Sequence, residues 1–181
     1  MPIETSRLNL LTPEEVSAEA VQRYFVANRA FLADWEPRRS DDYYDLPTIS
    51  KMVEAQQEQF RARTGVNFYL TRQGSAEVIG TIGFSNIVYG CFLSCFLGYR
   101  SSQGNEGQGL MQEGLRAAIR WVFESLQLHR IEANVMPRNL ASKRVLERLG
   151  FELEGSSRKY LKINGVWEDH QHYVLLNEGV E

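Results

Sequence analysis

Cysteine, histidine and long apolar runs are all scarce in this sequence, and each scarcity excludes something. There are two cysteines and three histidines among 181 residues. Cys91 and Cys95 lie four apart in "GCFLSCFLGY", which reads as a strand. Four residues along a strand span about 13 Å, too far for a disulfide. As metal ligands the pair lacks a second pair, so both are read as buried thiols in a reducing, cytoplasmic setting. Asp169, His170 and His172 form the one H-x-H pattern. Two imidazoles on one strand face without a third ligand nearby do not make a metal site, and no metal is expected. Charge of one sign is also missing: the net charge of −3 leaves no basic footprint for nucleic acid or for a membrane surface. No stretch is apolar for long enough to span a bilayer. The opening "MPIETSRLNL" has neither a basic segment nor an apolar one, so no secretory signal is expected.

What is present is ordinary globular material, 43% apolar and 24% charged, enough for one domain over residues 1–181. "SRLNLL" (6–11) alternates as a first strand. Pro13 opens a helix to about Arg29, with Val16, Ala20, Tyr24 and Ala27 on its stripe. "FLADWEPRRSDDYYDLP" is a loop rich in prolines, acids and aromatics. A second helix covers about 48–63, burying Ile49, Met52, Val53, Gln56 and Phe60. The period then changes to two: 66–72, 78–88 and 92–100 read as three antiparallel strands joined by short turns. A helix follows over about 108–126, with Leu110, Leu115, Ala118, Ile119, Val122 and Phe123 inward. Residues 129–136 form a strand. "NLASKRVLERLG" is a short helix with Asn139 as N-cap and Gly150 as its stop. The tail reads as two strands around the Asn164-Gly165 turn. The class is mixed α/β.

The segment "GNEGQGLMQEG" (104–114) puts glycines 104, 107 and 109 immediately before a helix. Glycine is a poor helix former, and a glycine turn between a strand and a helix N-terminus offers backbone N–H groups and partial positive charge to an anion. A Walker A loop needs Gly-Lys-Ser/Thr, which is absent. A dinucleotide fingerprint needs G-x-G-x-x-G in a parallel unit, whereas the order here is G-x-x-G-x-G behind antiparallel strands. What remains is a pyrophosphate loop of another kind, or a glycine turn without a ligand.

Two segments decide between these. Gly107 and Gly109 match the end of the Gln/Arg-x-x-Gly-x-Gly/Ala loop of the GNAT acetyl-CoA-dependent N-acetyltransferase superfamily, with Gly104 standing where Gln or Arg is usual. "NLASKRVLERLGFELEG" resembles the same superfamily's second cofactor segment, with Asn139, Ser142, Gly150 and Phe151 in place. "NRAFLADWEP", "FSNIVYG", "FLGYR" and "HRIEANVMPRN" extend the likeness over nearly the whole chain. They resemble the ribosomal-protein-alanine N-acetyltransferases (the RimJ type), which acetylate the N-terminal residue of ribosomal protein S5. The resemblance implies a central, mostly antiparallel sheet with splayed middle strands, flanked by helices. It also implies acetyl-CoA as co-substrate. The cofactor-binding residues it implies are Leu97, Gly98, Tyr99, Gly104, Asn105, Glu106, Gly107, Gln108, Gly109, Leu110, Asn139, Ser142 and Arg144.

Acetyl transfer needs a neutral amine, a donor for the developing oxyanion and a proton for the departing thiolate. Where many relatives carry a glutamate base this chain has Asn134, and where many carry a tyrosine acid it has Leu146. The resemblance leaves Ser142, supported by its cap residue Asn139, as the catalytic position, its hydroxyl facing the thioester sulfur. A backbone N–H near Leu97–Tyr99 is the oxyanion donor. The Tyr99 side chain is read as core, without a role. Glu132 shares a face with Asn134 and is either a distant proton acceptor or a solvated strand glutamate. The missing base itself points to the acceptor. A lysine amine with a pKa near ~10.4 is almost wholly protonated at pH 7, whereas an α-amine at about 7.7–8.0 is neutral to roughly ten to twenty per cent. The pattern favours an α-amine acceptor over lysine.

Acceptor recognition is expected from Trp35, Glu36 and Asn134. The loop acids, including Asp41 and Asp42, would attract a basic ribosomal protein, or else form a solvated loop pinned by one tryptophan. Direct attack in a ternary complex is expected, since neither cysteine lies at the mouth beside a histidine. Two competing readings stay open: acetyl transfer to a small amine such as an antibiotic or polyamine, and a non-catalytic CoA-binding, ribosome-associated protein.

Overall fold

In the computed structural model, which describes residues 2–180, one eight-stranded sheet runs through the molecule. Its strands are β1 (Ile3–Glu4), β2 (Leu8–Leu11), β3 (Val66–Arg72), β4 (Val78–Val88), β5 (Ser94–Ser101), β6 (Arg130–Val135), β7 (Glu152–Ile163) and β8 (Val166–Leu176). The spatial order is β1-β2-β3-β4-β5-β6-β8-β7. Every neighbouring pair is antiparallel except β5–β6, which is parallel. The helices are α1 (Ala18–Leu32), α2 (Leu46–Ala62), α3 (Leu110–Leu126) and α4 (Leu140–Arg148).

Period-two burial sorts the strands onto two faces. Val66, Phe68 and Leu70 of β3 join Ile131, Ala133 and Val135 of β6 in a core with α3 and α4, including Leu115, Val122 and Leu146. Tyr69, from the opposite face of β3, packs with Val21, Phe25, Ile49 and Val53 of α1 and α2. Gly114 makes the α3 contact possible: a Cβ there would stand 2.6 Å from Leu70 Cδ2.

Several expectations are corrected. α1 begins at Ala18, five residues after Pro13, because Thr12 closes a turn by accepting the N–H groups of Glu15 and Val16. Ser17 then caps the helix, its side chain accepting the Ala20 N–H. Val16 is buried in that turn, and after Tyr24 the buried stripe continues through Asn28 and Leu32, while Ala27 is exposed. The first paired residues of the 6–11 segment begin at Leu8. Cys91 is exposed, not buried: β5 starts at Ser94, and Cys91 lies in the tight turn before it, where Gly90 and Leu93 take positive φ. Cys95 is buried as expected, and burial pushes its thiol up to about 12. No helix among the described residues is long and apolar enough to cross a membrane.

Candidate active site

The site arises where the parallel pair ends. β5 and β6 are paired from Ser94↔Arg130 to Leu97↔Ala133. Beyond that rung each strand follows its other neighbour. Gly98–Ser101 continue on β4, and Asn134 and Val135 continue on β8. The strands therefore part at Gly98 and Asn134, leaving a wedge whose edges carry backbone N–H and C=O groups turned away from any strand partner.

The glycine segment lies at one end of this wedge. Gly104, Gly107 and Gly109 all adopt left-handed backbone (φ +84°, +72° and +73°). This explains Gly104 where the family has Gln or Arg: a side chain has open space there but not the dihedral. A net of side chains holds the loop. The Gln103 N–H donates to Asn28 Oδ1 at 2.8 Å, Arg72 Nη2 donates to Asn105 Oδ1 (2.9 Å) and Gln108 Oε1 (2.8 Å), and Arg7 Nη1 donates to the Gln108 carbonyl at 2.9 Å. The Asn105 and Gln108 side chains are thus engaged within the loop, so what they can offer a ligand is backbone. Within α3 the Glu113 N–H is bonded to the Gly109 carbonyl, and the N–H groups of the turn before it have no carbonyl four residues behind them. With the helix dipole and two arginines alongside, this end of the wedge suits a pyrophosphate. Asn28, Arg7 and Arg72 were not foreseen. Each lies far from the loop in sequence, and only Asn28 left a signal, as a polar residue on an apolar stripe.

Glu113 anchors that end. It accepts from Thr5 Oγ1 (2.7 Å), Ser6 Oγ (2.9 Å), the Arg7 N–H (2.9 Å) and Arg7 Nε (2.6 Å). Burial alone would raise its pKa, but those donors outweigh it and hold the carboxyl at about 2.

At the other side of the wedge Asn139 caps α4, its Oδ1 accepting the Ser142 N–H at 3.1 Å. The Ser142 hydroxyl meets the Tyr99 phenol at 2.7 Å, and the phenol also lies 3.2 Å from the Ser142 carbonyl. The Tyr99 side chain, read as inert core, is therefore a partner of the expected catalytic serine. Burial pushes its phenol up to about 12, with the Ser142 contact pulling the other way. Leu146 is fully buried in the core. Arg144 is exposed on α4.

Asn134 and Glu132 project from the β6 face opposite α3 and α4, since Ile131, Ala133 and Val135 occupy the inner one. Asn134 Oδ1 bonds His172 Nδ1 across the β6–β8 rung. Glu36 pairs with Arg100 through its Nε and Asp41 with Arg29. Two of the acids expected to attract a basic acceptor are thus already matched by arginines. A cavity of about 190 Å³ beside them is lined by Arg29, Arg38, Arg39 and Glu36, among others. Trp35 is 37% exposed and carries the Arg138 guanidinium 4.9 Å above its ring, Arg138 in turn pairing with Glu168 at 3.1 Å. Among the described residues no cluster of three or more His, Cys, Asp or Glu is placed to hold a metal ion.

A parting parallel pair, a left-handed glycine loop at a helix N-terminus and a capped serine beside a phenol define an acyltransferase of the GNAT class. Comparison with known proteins agrees: residues 7–152 match the family model described as an acetyltransferase (GNAT) domain, and the chain belongs to that family. Among individual relatives, it is 39% identical over 179 residues to the [ribosomal protein uS5]-alanine N-acetyltransferase of Escherichia coli K12, covering 93% of this chain and 87% of that one. The crystal structure of the ribosomal-protein-S5-alanine acetyltransferase from Vibrio fischeri superposes with a TM-score of 0.93 at 32% identity, over 100% of this chain and 99% of that one. The structure of Mycobacterium smegmatis RimJ in complex with CoA-disulfide gives 0.84 at 27% identity, over 96% and 82%.

Proposed function

We propose that this acetyltransferase transfers the acetyl group of acetyl-CoA to the N-terminal α-amine of a protein, the alanine N-terminus of ribosomal protein S5, acting in the cytoplasm as one domain. The observation that carries this reading is the composition of the wedge mouth. It holds a serine–phenol pair to supply a proton and an amide, Asn134, at the position expected of a base. An α-amine, about 7.7–8.0, tolerates the lack of a strong base, whereas a lysine near ~10.4 does not. The likeness to the S5-alanine enzymes supports the same acceptor.

The residues fit the co-substrate. The free N–H groups at the α3 N-terminus, with Gly107 and Gly109, would hold its pyrophosphate, and the unpaired edges of β5 and β6 its extended arm. When bound, it supplies a thioester whose carbonyl carbon the amine attacks directly. A backbone N–H of the Gly98–Tyr99 edge would stabilise the carbonyl oxygen as negative charge develops there. As the C–S bond breaks, Ser142 would give its hydroxyl proton to the departing sulfur and regain one from Tyr99, whose phenol stays protonated through the neutral range. The surplus proton on the acetylated nitrogen would pass to water and, through water, restore the pair.

The test is thiol release from acetyl-CoA on addition of a peptide with the S5 N-terminus, followed by mass spectrometry of the peptide. The expected product is one acetyl group on the α-amine. Acetylation of a polyamine or aminoglycoside in place of the peptide would move the reading to small amines. Tight CoA binding without turnover on any amine would end the catalytic reading.

A further inference from the structure

On the acceptor face of the wedge, three strands bring together a polar chain that runs away from the mouth. His172 on β8 lies between Asn134 and Glu132 of β6 and Ser157 of β7. Its Nδ1 bonds Asn134 Oδ1 and stands 3.4 Å from Glu132 Oε1, and its Nε2 lies 2.8 Å from Ser157 Oγ. Glu132 is itself held by Arg130 at 3.3 Å, and Arg130 by Glu154 at 2.6 Å. The Tyr160 ring closes the far side at 5.0 Å, edge to face, and also meets His170, the other histidine of β8, at 5.8 Å. These groups, Glu132 and Arg130 from β6, Glu154 and Tyr160 from β7 and His170 from β8, are the titratable and charged neighbours of the imidazole.

The chain has one internally consistent direction. A carboxylate accepts but cannot donate, so Glu132 beside Nδ1 favours the imidazole proton there. With Nδ1 protonated, Asn134 must turn its oxygen to the histidine. Nε2 is then an acceptor, and the Ser157 hydroxyl, which can play either part, donates to it. Asn134 is left with its two amide N–H groups uncommitted to His172. It stands one residue past the last β5–β6 rung, on the same face as Gly98, where a Cβ would meet nothing within 4 Å.

We propose that His172 is a positioning residue: by holding the Asn134 amide oxygen it leaves the Asn134 N–H groups as donors at the mouth of the wedge, so that the acceptor is recognised there through a peptide carbonyl. This rests on the α-amine reading above and refines it. A small amine has no carbonyl to offer Asn134, whereas the first peptide bond of a protein N-terminus does.

The experiment compares two alanine-initiated peptides, identical except that the first carbonyl oxygen of one is replaced by sulfur, a weaker acceptor. For the wild-type chain the sulfur peptide is expected to lose about tenfold in kcat/KM, the scale of one hydrogen bond, chiefly through KM. His172→Ala should bring the ratio between the two peptides toward one while the KM for acetyl-CoA stays unchanged. Glu132→Gln, which keeps the shape but removes the carboxylate that fixes the proton on Nδ1, should do the same and covers the case in which the alanine variant does not fold. A merely structural role would weaken both peptides alike, so a wild-type ratio surviving in the folded variants overturns the inference and leaves the α-amine reading standing. Absence of acetylation of the ordinary peptide by wild type overturns both.

Discussion

At the scale of single residues, the Ser142–Tyr99 pair is the feature most open to test. Ser142→Ala removes the group proposed to face the sulfur and should lower kcat about a hundredfold, with acetyl-CoA affinity measured by calorimetry nearly unchanged. Tyr99→Phe keeps Ser142 but removes its donor, and a loss of about tenfold in kcat is expected. Because burial holds the phenol at about 12, its ionisation lies above the usual assay range. The alkaline side of the pH–rate profile up to pH 10 should therefore be the same in wild type and Tyr99→Phe; a limb that vanishes in the variant would show that the phenol titrates lower. The sequence pointed to Ser142 and Asn139 through the family resemblance, whose motif is local enough to be matched residue by residue. It could not show Tyr99 reaching Ser142, because that contact depends on how far β5 and α4 converge. The same limit hid Arg7, Arg72 and Asn28, which support the glycine loop from three separate elements.

Among the elements, the glycine loop and α3 behave as one unit fastened by Glu113. Its carboxyl titrates at about 2 in the folded chain and near 4.3 in an unfolded one. A depressed folded pKa contributes stability that is present above the unfolded value and is lost as the pH falls toward 2. Glu113→Gln should therefore melt lower than wild type by roughly 3 °C at pH 7, and the gap should close as the pH is lowered from 5 to 2 in thermal scans. The same variant loosens Arg7 beside the loop and should raise the KM for acetyl-CoA. Restoring the family's usual residue with Gly104→Gln forces a side chain into left-handed backbone at φ +84° and should cost about 1 kcal/mol of stability. Tighter CoA binding by that variant would show that the loop can adopt another path. Element positions were legible wherever periodicity ran long, as in α3 and β4. The start of α1 differs from the expectation because Pro13 signals a helix in the letters, whereas the turn closed by the Thr12 carbonyl keeps residues 13–16 outside it and Ser17 supplies the cap. Cys91 was misplaced because a strand pattern continues in the letters through a turn that Gly90 and Leu93 impose on the backbone.

On the scale of the whole molecule, the active site is a consequence of sheet order. β5 and β6 can part because each is held on its other side, β5 by β4 and β6 by β8. No local pattern in "FLGYR" or "HRIEANVM" encodes that parting; it came into view only through the resemblance of several separated segments to one family. Packing must keep the two halves in register, and at Gly114 α3 lies directly against Leu70 and Ile82 of the sheet. Gly114→Val places bulk where even a Cβ would stand 2.6 Å from buried Leu70 and should destabilise the chain by about 1–3 kcal/mol in urea unfolding, without altering the residues of the wedge.

The turn between β7 and β8 carries one more consequence. The Asn164 N–H donates to the Glu36 carbonyl at 2.8 Å, so the loop beside the acceptor entrance is tied down by a residue near the far end of the chain. Glu36 in turn pairs through its side chain with Arg100 of β5, so one loop residue joins the β7–β8 turn to the strand that parts from β6. A change confined to that turn is therefore carried through Glu36 to β5 and does not stay at the periphery of the sheet.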